Sequence, residues 1–299
     1  MRVVITGAGG RLGEHCLAEI SGGGFDVVGC DVRPVLSGPV RVETMDLRDA
    51  GPVAEFLKGA DAVVHLGNHP GPLRGMPART FDENVTMNMN VFQAALDRGA
   101  RKIVFASSIQ VSASEPAEGQ PVPPDARPPY LPLDGDCPPR PTNTYALSKW
   151  IGEVILRDFV AKAPVECVAL RFPLLLMPNP AARNETRRPP SWPPPQDPPP
   201  YRIAQGISFL SYPDAARLIH AALRSSLPGF RTYLPALSSV PPDRITEAVS
   251  RYYANVPLKC PIEQFGSLVD ISRITRETGW QPLDADPAIL EHGRSPRRL

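Results

Sequence analysis

Hydrophobic positions over the first 172 residues follow two alternating patterns. Short apolar runs predict six strands, with the sequences RVVIT, FDVVGCD, PVRVETMDL, DAVVHLG, RKIVFASS and VECVALRF. Helical spacing predicts four helices between them, with the sequences RLGEHCLAEI, AGPVAEFLKG, NVTMNMNVFQAALDRG and YALSKWIGEVILRDFVAK. Because strands that alternate with helices at this spacing pair in parallel through right-handed crossovers, we expect an α/β fold with a doubly wound parallel sheet.

The alternation loosens after Phe172. Three further helices are predicted, YPDAARLIHAALRS, RITEAVSRYYA and DISRITRETGW, with one strand, RTYLPA. Ligands of open α/β folds bind at the carboxyl ends of the strands. We therefore expect a core domain over residues 1–172 and a mixed segment over residues 173–299, which forms a small C-terminal substrate-binding lobe and returns to the core.

Proline is unusually frequent, with 38 residues in 299. Residues 116–141 and 178–200 contain ten prolines each. Such density excludes regular helix and central strand. Because periodic segments resume after each stretch, we expect long loops or lids rather than linkers between domains.

The charge balance narrows the class of partner. A formal net charge of +1 argues against a nucleic-acid-binding or membrane-surface protein, and the one basic cluster is the terminal GRSPRRL. No apolar run approaches the length that crosses a bilayer, and none precedes the first glycines. We expect a cytoplasmic protein.

Metal-ligating residues are scattered. The five cysteines form neither a CxxC motif nor a Cys/His cluster, which indicates reduced thiols without structural zinc. His65 and His69 are close in sequence but have no further ligands beside them, so we expect a strand-end and a loop histidine rather than a metal site.

A glycine pattern lies between the first predicted strand and its helix. In TGAGGRLG, Gly7, Gly10 and Gly13 allow a tight turn, close approach to a pyrophosphate and close helix packing. Asp31 ends the next strand, where a carboxylate can accept hydrogen bonds from a ribose 2′-hydroxyl and repel a 2′-phosphate. NAD is therefore favoured as cofactor, and Arg33 keeps NADP as the less favoured alternative.

The stretch TNTYALSKW places Tyr145 four residues before Lys149. At helical spacing these two side chains lie on one face, so the ammonium can influence the phenol. The alternative is an ordinary surface helix start with Thr142 or Thr144 near the cap.

The combination of TGxxGxxG and a later YxxxK resembles the short-chain dehydrogenase/reductase superfamily, and the length resembles its extended branch, the NAD-dependent epimerase/dehydratase family. The resemblance runs through residues 1–177 and weakly to Pro282. It implies a Rossmann-type domain that binds NAD over residues 1–172, and catalytic roles for Ser108, Tyr145 and Lys149. The positions matching the family's cofactor site are Gly7, Gly10, Arg11, Leu12, Gly13, Asp31, Asp46, Leu47, Leu66, Gly67, Asn84, Ser107, Tyr145, Lys149, Phe172 and Pro173.

The resemblance also implies a mechanism. A free tyrosine has a pKa of about 10, too high for a base at neutral pH. Positive charge from Lys149 and an oxidised nicotinamide would favour the phenolate. Tyr145 would take the proton from a substrate hydroxyl as hydride passes to the nicotinamide, or return it in reduction, while Ser108 holds that oxygen and Lys149 holds the nicotinamide ribose.

Departures from the family pattern make some of the family's reactions less expected for this chain. Dehydratases of the family carry an acidic pair after the catalytic hydroxyl residue, where this chain has Ile109 and Gln110. Nucleotide-sugar members carry an asparagine where this chain has Leu174. VHLG and FASS resemble sugar and uronate dehydrogenases, so we expect oxidation or reduction of a sugar or sugar-acid-like alcohol. Epimerisation of a nucleotide sugar with tightly bound NAD, and a non-catalytic NAD(P)-binding regulatory protein, remain alternatives.

The second proline-rich stretch, residues 178–200 with Trp192, falls where the family builds its substrate lid. Its arginines, Arg183, Arg187 and Arg188, are expected in a solvated loop, with contact to an anionic substrate group as the alternative. The family also implies a homodimer formed through helices near residues 84–98 and 145–161, whose apolar faces permit it.

Overall fold

The computed structural model describes residues 1–35, 40–71, 73, 75–115, 127–178, 197–284 and 290–291. Its strands in chain order are β1 (Arg2–Thr6), β2 (Asp26–Asp31), β3 (Val42–Thr44), β4 (Ala62–His65), β5 (Lys102–Ser108), β6 (Glu166–Phe172), β7 (Leu174–Pro178), β8 (Ser208–Ser211), β9 (Phe230–Tyr233), β10 (Leu237–Ser238) and β11 (Leu290–Glu291). Its helices are α1 (Arg11–Gly22), α2 (Ala50–Phe56), α3 (Pro77–Asp97), α4 (Thr144–Lys162), α5 (Pro200–Ala204), α6 (Tyr212–Arg224), α7 (Ile245–Tyr252) and α8 (Ser272–Thr278).

The main sheet has seven strands in the order β3-β2-β1-β4-β5-β6-β9. Every neighbouring pair in it is parallel. The six strands predicted from apolar runs are present, and the seventh, β9, comes from the segment after Phe172. The Rossmann-type doubly wound sheet is thus confirmed, with its order reversing between β1 and β4, where the first crevice for a ligand opens.

Helices cover both faces of this sheet because each buries one apolar side. On one face α1 and α6 pack against residues such as Ile5 and Val168. On the other, α2, α3 and α4 surround a cluster that includes Phe92, Phe105 and Leu156. Strands buried on both faces are apolar along their whole length, which explains why they appear in the sequence as continuous runs rather than as alternation.

Two helix starts differ from the sequence-based expectation. α3 begins at Pro77, seven residues before Asn84, because proline at the first helical position already has helical φ and needs no hydrogen-bond partner for its nitrogen. α4 is capped by Asn143, whose Oδ1 accepts a hydrogen bond from the amide of Ala146 at 2.8 Å, and not by Thr142 or Thr144.

A second, smaller sheet was not predicted. Its order is β10-β8-β7-β11, with β7 and β8 parallel and the outer pairs antiparallel. Its strands have two to five residues and lie near proline-rich sequence, so they show no clear alternation.

A third apolar cluster lies beyond the carboxyl ends of β5 and β9. It includes Ile109 and Leu234, the residues that directly follow these two strands, together with Leu131, Tyr253 and Leu268. Most of the remaining members belong to residues 200–269. The later part of the chain therefore contributes β9 to the core sheet and also forms a lobe above the end of the sheet where ligands bind.

Parts of both proline-rich stretches lie outside the described residues. These are residues 116–126 and 179–196, and the second range contains Arg183, Arg187, Arg188 and Trp192. Among the helices that are described, none combines the length and apolar character needed to cross a membrane.

Candidate active site

The glycine turn after β1 is packed backbone against backbone. Gly7 has a φ of +70°, and a Cβ there would lie 2.7 Å from the amide nitrogen of Gly67 at the end of β4. A Cβ on Gly13 would lie 2.3 Å from the carbonyl oxygen of Gly7. Glycine is required at both positions because the contacting atoms belong to the backbone and cannot rotate away.

Helix α1 begins directly at this turn, with Gly10 as its N-cap and no side chain capping it. The amides at the start of a helix have no partner within the helix, and the helix dipole favours negative charge there. Arg11, Leu12 and Gly13 supply these first amides, and Gly10 places no capping side chain over them. The turn therefore offers a site for a phosphate group.

Asp31 lies beside the turn and is only 7% exposed. Its Oδ2 accepts a hydrogen bond from the amide of Gly9 at 3.0 Å, and its Oδ1 accepts one from the amide of Arg33 at 2.9 Å. The guanidinium of Arg33 donates to the carbonyl of Gly9 at 3.0 Å. Acid and arginine thus flank the same turn, and Arg33 is held there by backbone and carboxylate contacts.

Asp46 and Leu47 follow β3 and border the turn from the other side. Arg48 donates from its side chain to Asp46 at 2.9 Å and holds the pKa of that carboxyl below its usual value. Leu47 is buried, and a Cβ on Gly67 would lie 2.3 Å from its Cδ1. Leu66 continues β4 with a hydrogen bond from its amide to the carbonyl of Thr6 at 3.1 Å.

Ser108, Tyr145 and Lys149 come together where β5 ends and α4 begins. The Ser108 hydroxyl lies near enough to the phenol of Tyr145 to lower its pKa, and both residues are buried. The Lys149 Nζ lies 5.8 Å from the centre of the Tyr145 ring. The i,i+4 spacing therefore places the phenol and the ammonium on the helix face that meets the strand end.

Burial shifts both ionisable groups in this trio. It raises the pKa of Tyr145 to about 12, a rise that the Ser108 hydrogen bond opposes and the charge of Glu115 increases. It lowers the pKa of Lys149 to about 7. The protein's own groups leave Tyr145 protonated at neutral pH, because desolvation dominates the shift of its pKa. The effect expected of Lys149 together with an oxidised nicotinamide stays a prediction.

Lys149 is anchored by a residue that the sequence did not identify. Its Nζ donates to Asn68 Oδ1 at 2.8 Å and to the carbonyl of Ala106 at 2.7 Å. Asn68 directly follows the VHLG stretch at the end of β4, and its position after a strand that borders the glycine turn is the one signal that pointed to it.

Two residues expected near a cofactor use their side chains within the protein. Asn84, fully buried in α3, accepts from the amide of His69 at 2.8 Å and donates to the hydroxyl of Ser148 at 3.0 Å. Ser107 donates to Glu153 Oε1 at 2.6 Å. Both contacts hold α3, α4 and β5 in register below the trio.

Phe172 and Pro173 lie at the carboxyl end of β6, and both are buried. Ser108 is paired with Phe172 in the sheet, so this strand end borders the trio directly. Leu174, at the position where nucleotide-sugar members of the family are expected to carry an asparagine, is the first residue of β7 and pairs with Phe209.

A set of polar contacts that the sequence analysis missed lies at the start of α4. Asn143 donates from its Nδ2 to Gln110 Oε1 at 2.9 Å and to the carbonyl of Glu115 at 2.8 Å. Arg202 in α5 shares an electrostatic interaction with Glu115. Only Asn143 had a signal, since asparagine directly before a helical pattern is a preferred N-cap.

The two histidines bind protein groups. His65, fully buried, contacts the hydroxyl of Thr6 at 2.7 Å and the Oδ1 of Asn88 at 3.0 Å, and burial lowers its pKa to about 3. His69 contacts Glu83 Oε2 at 2.6 Å. Within the described ranges no group of three or more possible ligands could hold a metal ion. All five cysteines are free thiols.

These features fit a dinucleotide. Gly7 and Gly13 form a tight turn, the glycine cradle, in which any Cβ would clash with backbone atoms. The uncapped start of α1 beside it suits a pyrophosphate, and Asp31 supplies a ribose acceptor. When bound, NAD would be held by these groups, with its reactive end toward the trio at the carboxyl end of β5.

The sequence is similar to those of known proteins. The model of the NAD-dependent epimerase/dehydratase family matches residues 3–192. The NAD-dependent glucose-6-phosphate dehydrogenase of Haloferax volcanii is 31% identical over 193 residues, covering 61% of this chain and 72% of the relative. The uronate dehydrogenase of Pseudomonas putida is 26% identical over 229 residues, covering 74% of this chain and 71% of the relative.

A solved structure extends the similarity to the whole fold. The UDP-glucose 4-epimerase from Bifidobacterium longum, in complex with NAD⁺ and UDP, superposes with a TM-score of 0.66 at 19% identity, covering 97% of this chain and 96% of that one. Sequence, fold and glycine cradle lead to one conclusion: this chain belongs to the NAD-dependent epimerase/dehydratase family, a family of enzymes that use NAD.

Proposed function

We propose that this protein is an NAD-dependent oxidoreductase that transfers hydride at a hydroxyl or carbonyl carbon of a sugar or sugar acid. The observation that carries the proposal is the meeting of Ser108, the buried phenol of Tyr145 and Lys149 where β5 ends and α4 begins: the Ser108 hydroxyl lowers the pKa of the phenol, and the Lys149 Nζ lies 5.8 Å from its ring centre. The cofactor-site positions given by the family resemblance, among them Gly7, Gly10, Gly13 and Asp31, would bind the cofactor.

In this reaction Tyr145 is the acid and base. Its buried phenol donates the proton to a substrate carbonyl oxygen in reduction, or accepts it from a substrate hydroxyl in oxidation. The bound cofactor supplies or accepts the hydride. Ser108 holds the same oxygen by a second hydrogen bond and fixes the substrate carbon relative to the phenol.

Lys149 adjusts this proton transfer and binds the ribose. Its charge, 5.8 Å from the Tyr145 ring, stabilises the phenolate relative to a neutral side chain there. Its hydrogen bonds to Asn68 and the carbonyl of Ala106 hold the ammonium between β4 and β5, at the side where the nicotinamide ribose would lie.

The substrate class is supported by the relatives and by the lining of the site. The relatives named above are a glucose-6-phosphate dehydrogenase and a uronate dehydrogenase, and the hydroxyls of Ser108 and Tyr145 are groups that can hydrogen-bond a sugar hydroxyl. Dehydration remains disfavoured, because Ile109 and Gln110 provide no carboxylic acid or carboxylate after Ser108.

Epimerisation of a nucleotide sugar is the alternative activity. The fold that this chain shares with the Bifidobacterium longum epimerase is compatible with it. An epimerase regenerates its cofactor in every cycle and retains it, whereas a dehydrogenase exchanges it. We expect purified protein without a stoichiometric nicotinamide absorbance and with NADH formation from added NAD and sugar. Conversion of a nucleotide sugar without net NADH would instead establish the epimerase.

The decisive variant is Tyr145→Phe, which removes only the phenol oxygen. We expect kcat to fall at least about a hundredfold while the NAD dissociation constant changes less than about threefold. Tyr130→Phe is the matched control, because the Tyr130 hydroxyl donates to Asp134 at 2.7 Å in the lobe. Unchanged turnover in Tyr145→Phe would sink the proposal.

Further parts of the proposal concern organisation. We propose residues 1–172 as the NAD-binding domain and residues 173–299 as the substrate lobe with a return to the core through β9. The dimer is a separate proposal. We propose a homodimer formed through α3 and α4, because each helix exposes one large apolar side chain: Met89 on α3 and Val154 on α4, both 41% exposed. Sedimentation of the parent and of Met89→Arg/Val154→Arg would test it. Five free cysteines suit the cytoplasm as the compartment.

A further inference from the structure

The segment that follows β5 lies against the segment that precedes α4. The carbonyl of Val111 accepts a hydrogen bond from the amide of Arg140 at 2.7 Å. Ser114 Oγ donates to the carbonyl of Gln110 at 2.6 Å and accepts from the amide of Thr142 at 3.0 Å. The end of the strand and the start of the helix are therefore joined through both backbones.

Gln110 connects this junction to Ser108. Its amide donates to Ser108 Oγ at 3.2 Å, which is the N-cap contact of the short 3₁₀ turn over Ile109–Val111. The serine oxygen thus accepts a hydrogen bond from the protein, while its hydrogen remains available to a substrate oxygen or to the phenol of Tyr145. Gln110 therefore restricts the direction in which the Ser108 hydroxyl can donate.

The side chain of Gln110 reaches the cap of α4. Its Oε1 accepts from Asn143 Nδ2 at 2.9 Å. Asn143 Oδ1 in turn accepts from the amide of Ala146, the residue after Tyr145, at 2.8 Å. Glu115 contacts both side chains, since its carbonyl accepts from Asn143 Nδ2 at 2.8 Å and its amide donates to Gln110 Oε1 at 3.4 Å. Asn143 is only 8% exposed, so its side chain cannot turn without breaking the helix cap or the contact to Gln110.

These contacts form one path between the hydroxyl of Ser108 and the phenol of Tyr145. The path runs from Ser108 through Gln110 to Asn143, the cap of the helix that carries the phenol. In the proposed reaction both hydroxyls bind the same substrate oxygen, so the distance between them must be fixed before the substrate binds. A misplacement of about 1 Å can cost about a hundredfold in rate.

We propose that Gln110 and Asn143 are positioning residues, which together set the distance between the serine and tyrosine hydroxyls. This inference rests on the proposed function, because it takes both hydroxyls to bind one substrate oxygen. The side chain of Gln110 then binds the protein and transfers no proton, unlike the acidic residue that dehydratases of the family carry there. Loss of the contact between the two side chains should lower kcat more than it weakens substrate binding.

The test is a double-mutant cycle in kcat, measured as NADH formation with the best substrate from a panel of aldoses and uronates. Gln110→Met removes the acceptor and keeps the side-chain length, and Asn143→Ser removes the Nδ2 donor but keeps an oxygen that can cap α4. Each variant should lower kcat by about tenfold and change KM by less than about twofold. Gln110→Met/Asn143→Ser should lower kcat little further, because the second substitution removes a contact that is already broken. Additive losses, or an unchanged kcat in either single variant, overturn the proposal.

Two further variants separate the contact from the general effect of a substitution. Gln110→Glu keeps an acceptor for Asn143 Nδ2 and should retain kcat within about threefold of the parent. Gln264→Met is the matched control, because Gln264 is exposed in the lobe, and it should leave kcat and KM unchanged. A kcat in Gln110→Glu as low as that of Gln110→Met would show that the acceptor is not what matters.

Fluorine NMR of protein made with 3-fluorotyrosine gives a readout without turnover. The chain has seven tyrosines, and Tyr145→Phe identifies the signal of Tyr145. Gln110→Met and Asn143→Ser should both shift or broaden this signal, whereas Gln264→Met should not. An unchanged Tyr145 signal in both variants overturns the positioning role and leaves the oxidoreductase intact. Absence of NADH formation with every sugar, or activity that survives Tyr145→Phe, overturns the proposed function and this role with it.

Discussion

The ammonium nitrogen of Lys149 lies 5.8 Å from the ring centre of Tyr145 and 4.9 Å from that of Phe105, in a buried space between α4 and β5. Only 4% of the Lys149 side chain remains exposed. Two hydrogen bonds and two aromatic rings partly replace the water that a charged group loses there. The pKa of Lys149 still falls to about 7, which means that burying its positive charge lowers the free energy of unfolding.

We therefore expect Lys149→Met to be more stable than the parent while losing its activity. At pH 6, Lys149 is charged in both the folded and the unfolded states, and the full cost of burying that charge opposes folding. Removing the charge should raise the free energy of unfolding by on the order of a few kcal/mol, as judged from the size of the pKa shift.

The stability advantage of Lys149→Met should depend on pH. Between its folded pKa of about 7 and its ordinary value of 10.5, Lys149 is neutral in the folded protein and charged in the unfolded chain. Unfolding then takes up a proton, so the parent gains stability as the pH rises through this window. The advantage of Lys149→Met, measured by urea unfolding at pH 6, 8 and 10, should shrink with pH. An advantage that stays constant would contradict the shifted pKa.

The glycine turn allows a prediction with a matched control in the same helix. A Cβ at Gly13 would lie 2.3 Å from the carbonyl oxygen of Gly7 and 2.6 Å from that of Ala8, whereas a Cβ at Gly22 meets nothing within 4 Å. We expect Gly13→Ala to weaken NAD binding by at least about tenfold, because the helix start must move away from the turn. Gly22→Ala should keep NAD binding and add about 0.5–1 kcal/mol of stability.

Calorimetric titration with NAD and thermal unfolding of both variants test this pair. The two substitutions add the same methyl group to α1, so a difference between them reflects the packing of the turn and not helix propensity. Equal NAD affinity in the two variants would show that the cradle is not where the cofactor binds.

The sequence predicted what depends on local periodicity. Strands β1 to β6 and the helices between them are long or apolar enough to show their pattern, and Gly7, Gly13 and Asp31 are recognisable because their spacing is dictated by one turn. The start of α3 at Pro77 was missed because the residues before Asn84 are mostly polar. The hydrogen bond of Lys149 to Asn68 joins residues 81 positions apart, and such a contact leaves no periodic signal in the chain.

A buried ion pair below the trio links β6 to α4. Arg171 donates to both carboxylate oxygens of Glu153, at 2.7 and 2.9 Å, and the two side chains are 3% and 1% exposed. Arg171 also donates to the hydroxyl of Ser112 and to the carbonyl of Cys137, at 2.8 and 2.6 Å. Each guanidinium nitrogen of Arg171 and each carboxylate oxygen of Glu153 therefore has at least one hydrogen-bond partner, as a buried pair requires.

Removing one partner should be far more damaging than removing both. Glu153→Leu leaves a buried guanidinium without its counter-charge, and we expect a loss of about 3–5 kcal/mol in the free energy of unfolding. The double variant Glu153→Leu/Arg171→Met should recover most of that loss, because two apolar side chains replace the pair without an unmatched charge. Asp158→Ala on the same helix is the control: its ion pair with Lys162 is exposed, and its loss should change stability by less than about 1 kcal/mol.

Measuring kcat in these variants shows whether the ion pair between Arg171 and Glu153 only stabilises the fold or also positions Ser108 relative to Tyr145. Glu153 also accepts the hydroxyl hydrogen of Ser107, the neighbour of Ser108, and it lies on the helix that carries Tyr145 and Lys149. If the ion pair sets the register between the strand end and that helix, the double variant should regain stability but keep a reduced kcat with little change in KM. Full recovery of kcat along with stability would show that the pair contributes to folding alone, and that the contact between β5 and α4 suffices to hold Ser108 against the phenol.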